Sequence, residues 1–178
     1  MKSQKNLEVL LSEADIQRRV QEMAEEISSD YAEEDDLILV GVLKGAFIFL
    51  ADLSRRLSIP RSIEFMAVSS YATGDEASSA VRLVMDLRKN IEGKNVLLVE
   101  DIVDTGRTLN FLGELLAARK PKSIKTCALV RKPDRLQMAA SVDYLGFDIP
   151  DAWVVGYGLD YDEENRTLPY IAAFDPES

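Results

Sequence analysis

The stretch that decides the fold is Val96–Leu109, VLLVEDIVDTGRTL. Its first residues, Val96–Val99, are all apolar, which predicts a short strand buried on both faces. Three carboxylates follow within five residues: Glu100, Asp101 and Asp104. The segment Thr105–Thr108 then leads into an apolar-periodic run that predicts a helix over Thr108–Arg119. A buried strand that passes through an acidic turn into a helix is typical of an α/β fold.

The same alternation continues on both sides of this stretch. The continuous apolar run Leu37–Leu43 predicts a second buried strand, and Ile63–Val68 and Ser123–Val130 predict two further strands. One helix is predicted to begin after Ser12, in a capping box, and another covers Gly45–Leu57. This order of strands and helices predicts an α/β fold with a mostly parallel sheet flanked by helices.

The polar segment Ser69–Ala80, SSYATGDEASSA, predicts a long loop, and the alternating residues from Val81 to Met85 predict a returning strand. Together with the strand Ile63–Val68 they predict a β-ribbon that has this loop as its mobile tip. Beyond Arg131 the pattern predicts only short segments, around Val142–Leu145 and Trp153–Tyr157. The length of 178 residues favours one domain, 1–178. We expect the first and the last thirty or so residues to pack together as a small hood on this domain.

The composition excludes several classes of function. The net charge of −10 argues against broad nucleic-acid binding, which needs a basic face. The longest uncharged stretch, Phe65–Gly74, is far shorter than the roughly 20 apolar residues of a membrane helix, and the N-terminus lacks the apolar core of a signal peptide. We therefore expect a cytoplasmic protein with no membrane partner. The single cysteine, Cys127, excludes an intramolecular disulfide and a cysteine-rich zinc site.

The chain contains no histidine, so proton transfer must use carboxylates, lysine or tyrosine. Ligands of open α/β sheets bind beyond the carboxyl ends of the strands. At those ends the acidic turn lies between two basic turns, Lys44-Gly45 and Arg131–Arg135. Clustered carboxylates repel one another unless a cation or a hydroxyl-rich ligand is bound. Backbone N–H groups at a helix start, with Gly106 allowing close approach, favour a phosphate.

Each of these features also has a purely structural interpretation. The acidic turn can be a solvated loop in which Thr108 caps a helix. Lys44 and Lys132 can be surface lysines, and Trp153 can be a core aromatic. The acidic run Asp160–Glu164 can be a solvated segment, as most charge runs are.

Val96–Leu109 resembles the phosphoribosyl-pyrophosphate (PRPP) binding motif of type I phosphoribosyltransferases. Glu-Asp followed by Asp-Thr-Gly is similar to their hypoxanthine-guanine branch. Four other segments match the family in its order. They are the pyrophosphate loop VLKG (42–45), the start of the flexible loop SSY (69–71), the purine-lysine segment LVRKP (129–133) and the C-terminal signature DAWVVGYGLDYDEENR (151–166). One departure is Arg131, where many bacterial members have an acid.

The resemblance implies an Mg²⁺-dependent enzyme of purine salvage. Such an enzyme transfers ribose 5-phosphate from PRPP to hypoxanthine or guanine, and it forms IMP or GMP and pyrophosphate. The implied fold is the type I phosphoribosyltransferase fold, with a small hood and a flexible β-ribbon loop. The implied assembly is a homodimer or homotetramer.

The resemblance also implies a role for each matching residue. Glu100, Asp101 and Asp104 belong to the PRPP site. Asp104 lies near purine N7 and is the general base, while Glu100 and Asp101 bind the ribose hydroxyls directly or through Mg²⁺. The 5′-phosphate site is Thr105, Gly106, Arg107 and Thr108. The pyrophosphate site is Lys44, Gly45 and Arg166, with Asp160 as a further metal ligand. The purine site is Lys132 on the 6-oxo group, Trp153 stacked on the base, and carbonyls near Val154 and Asp160. Ser70 and Tyr71 belong to the flexible loop, and the Leu43–Lys44 peptide is expected to be cis.

Two other functions stay open at this point. One is a type I relative that acts on pyrimidines and also regulates by binding RNA. The net charge of −10 and the purine-site residues Lys132 and Trp153 argue against this function. The other is a nucleotide-binding module without activity, against which the retained Asp104 counts. The sequence does not rank hypoxanthine, guanine and xanthine as substrates.

Overall fold

The computed structural model describes residues 7–34, 36–72 and 79–176, with backbone alone for residues 70–72, 79 and 80. In these ranges the chain forms three α-helices: α1 (Glu13–Asp30), α2 (Phe47–Arg56) and α3 (Arg107–Ala117). The strands are β1 (Glu8–Leu11), β2 (Leu37–Leu43), β3 (Arg61–Ala72), β4 (Ser79–Met85), β5 (Asn95–Val103), β6 (Ser123–Arg131), β7 (Tyr144–Asp148), β8 (Trp153–Val155) and β9 (Ile171–Phe174).

The larger sheet has the order β4-β3-β2-β5-β6-β7. All neighbours in it are parallel except β4, which pairs antiparallel with β3 at one edge. The predicted α/β fold with a mostly parallel sheet is therefore confirmed. Because β2 and β5 lie in the middle, the carboxyl ends of these two strands form the centre of the edge at which such sheets bind ligands.

The apolar run of β2 is continuous because the sheet is covered on both faces. Ile38 and Val40 belong to the core cluster that contains the apolar residues of α3. Leu37 and Leu39 belong to the cluster beneath α1 and α2. Successive side chains of a strand point to opposite faces, so both alternating sets must be apolar here.

The helices follow their predicted caps and patterns closely. The hydroxyl of Ser12 accepts a hydrogen bond from the backbone N–H of Asp15 at 3.2 Å, which caps α1 as predicted. Helix α2 begins at Phe47 rather than at the predicted Gly45. The reason is a turn after β2, in which the N–H of Phe47 donates to the carbonyl of Lys44 at 3.2 Å.

The acidic residues after Val99 are not all in a turn, which corrects the sequence-based prediction. Strand β5 continues to Val103, so Glu100 and Asp101 are strand residues. The strand continues because β6 still pairs with it there, with Glu100 opposite Ala128. The pairing of β2 with β5 ends earlier, at Val99. The last residues of β5 therefore lie beside β6 and border the open end of the sheet.

The predicted β-ribbon is present as the antiparallel pair of β3 and β4. Its strands extend further than predicted, since residues 69–72 and 79–80 of the supposed loop are paired. Backbone ladder bonds at a sheet edge do not require apolar side chains, so a polar sequence can still form strands there. Of the loop that is predicted to be mobile, residues 73–78 lie outside the described residues.

A second, three-stranded sheet brings the two ends of the chain together. Strand β9 pairs antiparallel with β1 and with β8. That the terminal segments form a hood stays a prediction. Helix α1, although it lies within the first thirty residues, packs against α2 and β7 of the main domain instead. Among the described residues, no helix combines the length and the apolar character that a membrane-spanning helix needs.

Candidate active site

A cavity of about 420 Å³ opens at the carboxyl ends of β2 and β5. Its polar lining comes from the turn after β2, the end of β5, the turn into α3 and the segment between β8 and β9. These lining residues are Lys44, Gly45, Glu100, Asp101, Asp104, Thr105, Gly106, Thr108, Asp160 and Arg166. Apolar side chains such as Val42, Ile102 and Leu109 complete the wall.

Two neighbouring carboxylates line this cavity, the buried Glu100 and the partly buried Asp101. Glu100 is only 4% exposed, and among the described residues its Oε1 atom has no hydrogen-bond partner. Burial, and then the charge of Asp101, raises the pKa of Glu100 well above its usual range. Burial also raises the pKa of Asp101 to about 6. Ionising this pair is costly without a cation or hydroxyl donors, so the site favours a ligand that supplies them.

The turn after β2 lies against this pair. A Cβ atom at Gly45 would lie 1.6 Å from Oδ2 of Asp101, so no larger residue fits without moving the carboxylate. The peptide bond between Leu43 and Lys44 is cis, as predicted. The Lys44 side chain extends outward, where its Nζ atom pairs with Oε1 of Glu163 at 2.9 Å.

Arg166 places a fixed guanidinium at the edge of the cavity. Its Nη1 atom donates to the carbonyl of Gly158 at 2.9 Å and lies 2.8 Å from Oδ1 of Asp160. Its Nη2 atom pairs with Glu163 at 3.1 Å. Among the described residues, the buried Nε atom has no partner. A rigid, planar cation of this kind suits phosphate oxygens.

Asp104 lies just beyond the end of β5, in a more open environment than Glu100. Its Oδ1 atom accepts a hydrogen bond from Nε of Arg135 at 3.0 Å, and its side chain is 39% exposed. Arg135 belongs to a short 3₁₀ helix, Pro133–Arg135, and lies 3.8 Å from Asp151. Asp151 lies 3.8 Å from Nζ of Lys132. A chain of alternating charges therefore links Asp104 to the buried Lys132.

The start of α3 has the geometry of an anion site. Gly106 is the N-cap residue and adopts a left-handed conformation with φ of 82°. Asn110 stabilises this turn, because its side-chain amide donates to the carbonyl of Gly106 at 2.9 Å. The glycine has no side chain to cover the helix terminus, where N–H groups point towards a bound anion.

Trp153 does not belong to the core. Its side chain is 58% exposed on β8, and Tyr161 contacts it edge-to-face with ring centroids 5.8 Å apart. Phe174 in turn packs against Tyr161 at 5.0 Å. The tryptophan is therefore supported by other rings but keeps a surface available for stacking on a planar ligand.

The chain matches the phosphoribosyl transferase domain over residues 7–162. It belongs to the phosphoribosyltransferase family. Among curated relatives, the hypoxanthine-guanine phosphoribosyltransferase of Mycobacterium tuberculosis is 48% identical over 94% of this chain and 86% of its own length. The hypoxanthine phosphoribosyltransferase of Escherichia coli is 43% identical over 93% of both chains.

Solved structures of phosphoribosyltransferases have the same fold. A hypoxanthine phosphoribosyltransferase from Staphylococcus aureus superposes with a TM-score of 0.90 at 45% identity, over 96% of this chain and 92% of that one. One from Trypanosoma cruzi, studied for its oligomeric state and activity, gives 0.92 at 41% identity, over 99% and 95%. The predicted family and its hypoxanthine-guanine branch are thereby confirmed, and the protein is a transferase.

Not every predicted phosphoribosyltransferase residue lines the cavity. Arg107, Lys132, Trp153 and Val154 lie outside its lining. Lys132 is nevertheless adjacent, because its N–H donates to the carbonyl of Val103 at 2.9 Å. Ser70 and Tyr71 belong to β3, and their side chains lie outside the described residues.

Sequence reasoning assigned no role to Arg135, Asp151, Glu163 or Tyr161. Arg135 pairs with Asp104 and lies near Asp151, while Glu163 pairs with both Lys44 and Arg166. Arg135 had one available signal, its place three residues after Lys132 in the second basic turn. The others show their role only through contacts in three dimensions.

Proposed function

We propose that this phosphoribosyltransferase catalyses transfer of the 5-phosphoribosyl group from PRPP to hypoxanthine and guanine, as part of purine salvage. The products would be IMP or GMP and pyrophosphate. The observation that carries the proposal is that ten predicted binding residues, from three separate stretches of the chain, line one cavity. Relatives named for this reaction, at 43–48% identity, support it.

The carboxylates of the cavity fit Mg²⁺ as the metal. Glu100 and Asp101 offer oxygen donors, one of them unpartnered among the described residues, and Asp160 offers another. No cluster of three or more acidic, histidine or cysteine side chains forms a complete metal cage in the part of the chain described. Mg²⁺ needs no such cage, since it commonly binds one or two carboxylates together with substrate phosphates. When bound, it would neutralise charge on the departing pyrophosphate.

Different residues of the cavity bind different parts of PRPP or take part in the reaction. Gly106 and the neighbouring residues Thr105, Arg107 and Thr108 bind the 5′-phosphate at the start of α3. Lys44, Gly45 and Arg166 bind pyrophosphate. Glu100 and Asp101 bind the ribose hydroxyls and stabilise positive charge that develops on the sugar ring during displacement. Asp104 accepts the proton from purine N7, a role that its partly exposed carboxylate can perform.

The purine is recognised by groups at the end of β6, on β8 and on the segment after β8. Trp153 stacks on the base, Lys132 donates to the 6-oxo group, and carbonyls near Val154 and Asp160 receive the 2-amino group of guanine. Lys132 has donors only, so it matches a 6-oxo group and mismatches the 6-amino group of adenine.

We also propose a homo-oligomer in the cytoplasm. Exposed apolar side chains on α2, β3 and β4, namely Phe47, Ile63, Phe65, Val84 and Met85, offer a surface for a second copy. Gel filtration with light scattering tests this assembly, for which a monomer at micromolar concentration is the contrary result.

The proposed reaction is tested by steady-state kinetics with Mg²⁺-PRPP and one base at a time. Hypoxanthine and guanine should react, and adenine should be poorer by about 10⁴ in kcat/KM because buried polar groups would be left mismatched. Lys132→Ala should reduce use of hypoxanthine far more than binding of PRPP. Uracil serves as the control for a pyrimidine enzyme. Similar kcat/KM for adenine and hypoxanthine, or turnover of uracil alone, would contradict the proposal.

A further inference from the structure

A buried hydrogen-bonded group connects α2 to the segment that carries Asp160 and Arg166. At its centre is Asp52 of α2, which is 8% exposed. Its Oδ2 atom accepts hydrogen bonds from the hydroxyl of Tyr157 at 2.5 Å and from Nε2 of Gln17 at 3.2 Å. Burial acts to raise the pKa of Asp52, but the hydrogen bonds from Tyr157, Gln17 and Arg55 outweigh it and lower that pKa. The Asp52 carboxylate is therefore held by three hydrogen-bond donors, Tyr157, Gln17 and Arg55.

The backbone around Tyr157 is in an unusual conformation. Gly156, Tyr157 and Gly158 have φ values of 102°, 50° and 106°, three consecutive residues in the left-handed half of the map. Tyr157 has a Cβ atom and is unfavourable there, unlike its glycine neighbours. Its side chain is 2% exposed, and its N–H donates to the carbonyl of Leu168 at 2.8 Å. The bond to Asp52 thus fixes the side chain at the centre of a strained turn.

This turn touches two parts of the candidate active site. A Cβ atom at Gly158 would lie 1.9 Å from the carbonyl oxygen of Gly45, so the two backbones are in direct contact. The carbonyl of Gly158 accepts the hydrogen bond from Nη1 of Arg166, and its N–H donates to the carbonyl of Arg166 at 2.8 Å. Displacing Tyr157 would therefore displace both Gly45 and Arg166.

We propose that Asp52 and Tyr157 are positioning residues for the pyrophosphate end of the active site. This inference rests on the proposed function. Neither side chain lines the cavity, and both act through Gly158 on the Gly45 carbonyl and the Arg166 guanidinium. The purine end is supported separately, because Trp153 is paired with Phe174 of β9. The pair should therefore affect PRPP and pyrophosphate more than hypoxanthine, which lacks the 2-amino group that the carbonyls near Val154 and Asp160 would receive.

Tyr157→Phe tests the proposal because it removes only the hydroxyl group. We expect KM for Mg²⁺-PRPP to rise by about tenfold, since small displacements far from the chemistry can reduce rates by that much or more. In the reverse reaction, KM for pyrophosphate should rise in parallel. KM for hypoxanthine should stay within about twofold of wild type, as expected for a loss confined to one substrate.

Tyr144→Phe is the matched control. Tyr144 is also 2% exposed and donates to a carboxylate, Oδ2 of Asp30, at 2.6 Å, but it lies on β7 outside the cavity lining. It should reduce thermal stability without changing KM for Mg²⁺-PRPP. A rise of the same size in Tyr144→Phe, or equal rises for PRPP and hypoxanthine in Tyr157→Phe, would overturn the proposal.

A second variant, Asp52→Asn, changes the other partner of the same hydrogen bond, so the test does not depend on one variant folding correctly. Asp52→Asn retains an oxygen that can accept from the Tyr157 hydroxyl, so its rise in KM for Mg²⁺-PRPP should be smaller than that of Tyr157→Phe. If the two residues act as a unit, the double variant should show less than the product of the single effects. If the rise in KM of the double variant equalled the full product of the two single rises, the two residues would not act as a unit. A wild-type protein without activity would instead contradict the proposed function.

Discussion

Glu100 and Asp104 belong to one short motif but lie in opposite environments. Glu100 is a strand residue, 4% exposed, and burial raises its pKa. Asp104 follows the end of the strand, is 39% exposed and pairs with Arg135. One acidic segment can therefore supply two kinds of chemistry, because its carboxylates differ in exposure. The pair of Glu100 and Asp101 suits binding of a cation and hydroxyl groups, and the more exposed carboxylate of Asp104 suits proton transfer.

The largest effect should come from removing the open carboxylate. Asp104→Asn keeps the shape of the side chain but cannot accept the purine proton, so kcat should fall by about 10²–10⁴. Single-turnover measurements with hypoxanthine test this step directly. Asp134→Asn, at an exposed acid on the adjacent 3₁₀ helix, is the control and should retain full activity. A wild-type kcat in Asp104→Asn would remove the distinction between the two carboxylate environments.

A smaller effect on activity is expected when the Asp101 carboxylate is displaced. Gly45→Ala places a Cβ atom on the Asp101 carboxylate, and kcat/KM for PRPP should fall by about 10² because the site is misaligned. Gly113→Ala in α3 is the matched control, since no atom lies within 4 Å of the added Cβ. It should leave the kinetics unchanged and stabilise the helix by about 0.5–1 kcal/mol. Equal kinetics for the two variants would show that the Gly45 contact is unimportant.

The smallest expected effect is a pH-dependent change in the free energy of unfolding. The folded pKa of Asp101, about 6, lies above its usual value of 3.8. Ionising it therefore reduces stability progressively between about pH 4 and pH 6, and the full penalty is present above that range. Without Mg²⁺ or PRPP, Asp101→Asn should unfold with a free energy higher by about 1–3 kcal/mol at pH 8, and near that of wild type at pH 3.

Asp86→Asn is a control of opposite sign for this pH dependence. The hydrogen bond from Arg119 lowers the pKa of Asp86, so its ionised form stabilises the fold. That variant should lose stability at pH 8 and approach wild type at low pH. Denaturant unfolding at several pH values measures both variants. A loss of stability at pH 8 in Asp101→Asn would show that burial does not penalise this carboxylate.

Local signals were sufficient for most of the fold. The apolar run of β2, the cap at Ser12 and the glycine before α3 each act within a few residues, so the sequence predicts them well. The motif residues of the cavity were predicted by resemblance. The placement of Glu100 in a strand was missed because it depends on how far β6 pairs with β5, which no local pattern encodes.

The contacts that define the environments of the site are long-range. Arg135 and Asp104 are 31 residues apart, and Tyr157 and Asp52 are 105 residues apart. Neither pair shows a periodicity or spacing that would identify it from one sequence. β1 was missed for the same reason, because its partner β9 lies at the other end of the chain.

The division of roles within the acidic segment is tested most directly by the dissociation constant of Mg²⁺-PRPP, measured by calorimetry for Asp104→Asn and Asp101→Asn side by side. Asp104→Asn should bind within about threefold of wild type, because its carboxylate acts in proton transfer rather than in binding. Asp101→Asn should bind more weakly by about tenfold or more, since a charged ligand to the metal and ribose is lost. The reverse order, in which Asp104→Asn binds Mg²⁺-PRPP more weakly than Asp101→Asn, would contradict the account. Ligand binding could then not be assigned to Glu100 and Asp101 and proton transfer to Asp104.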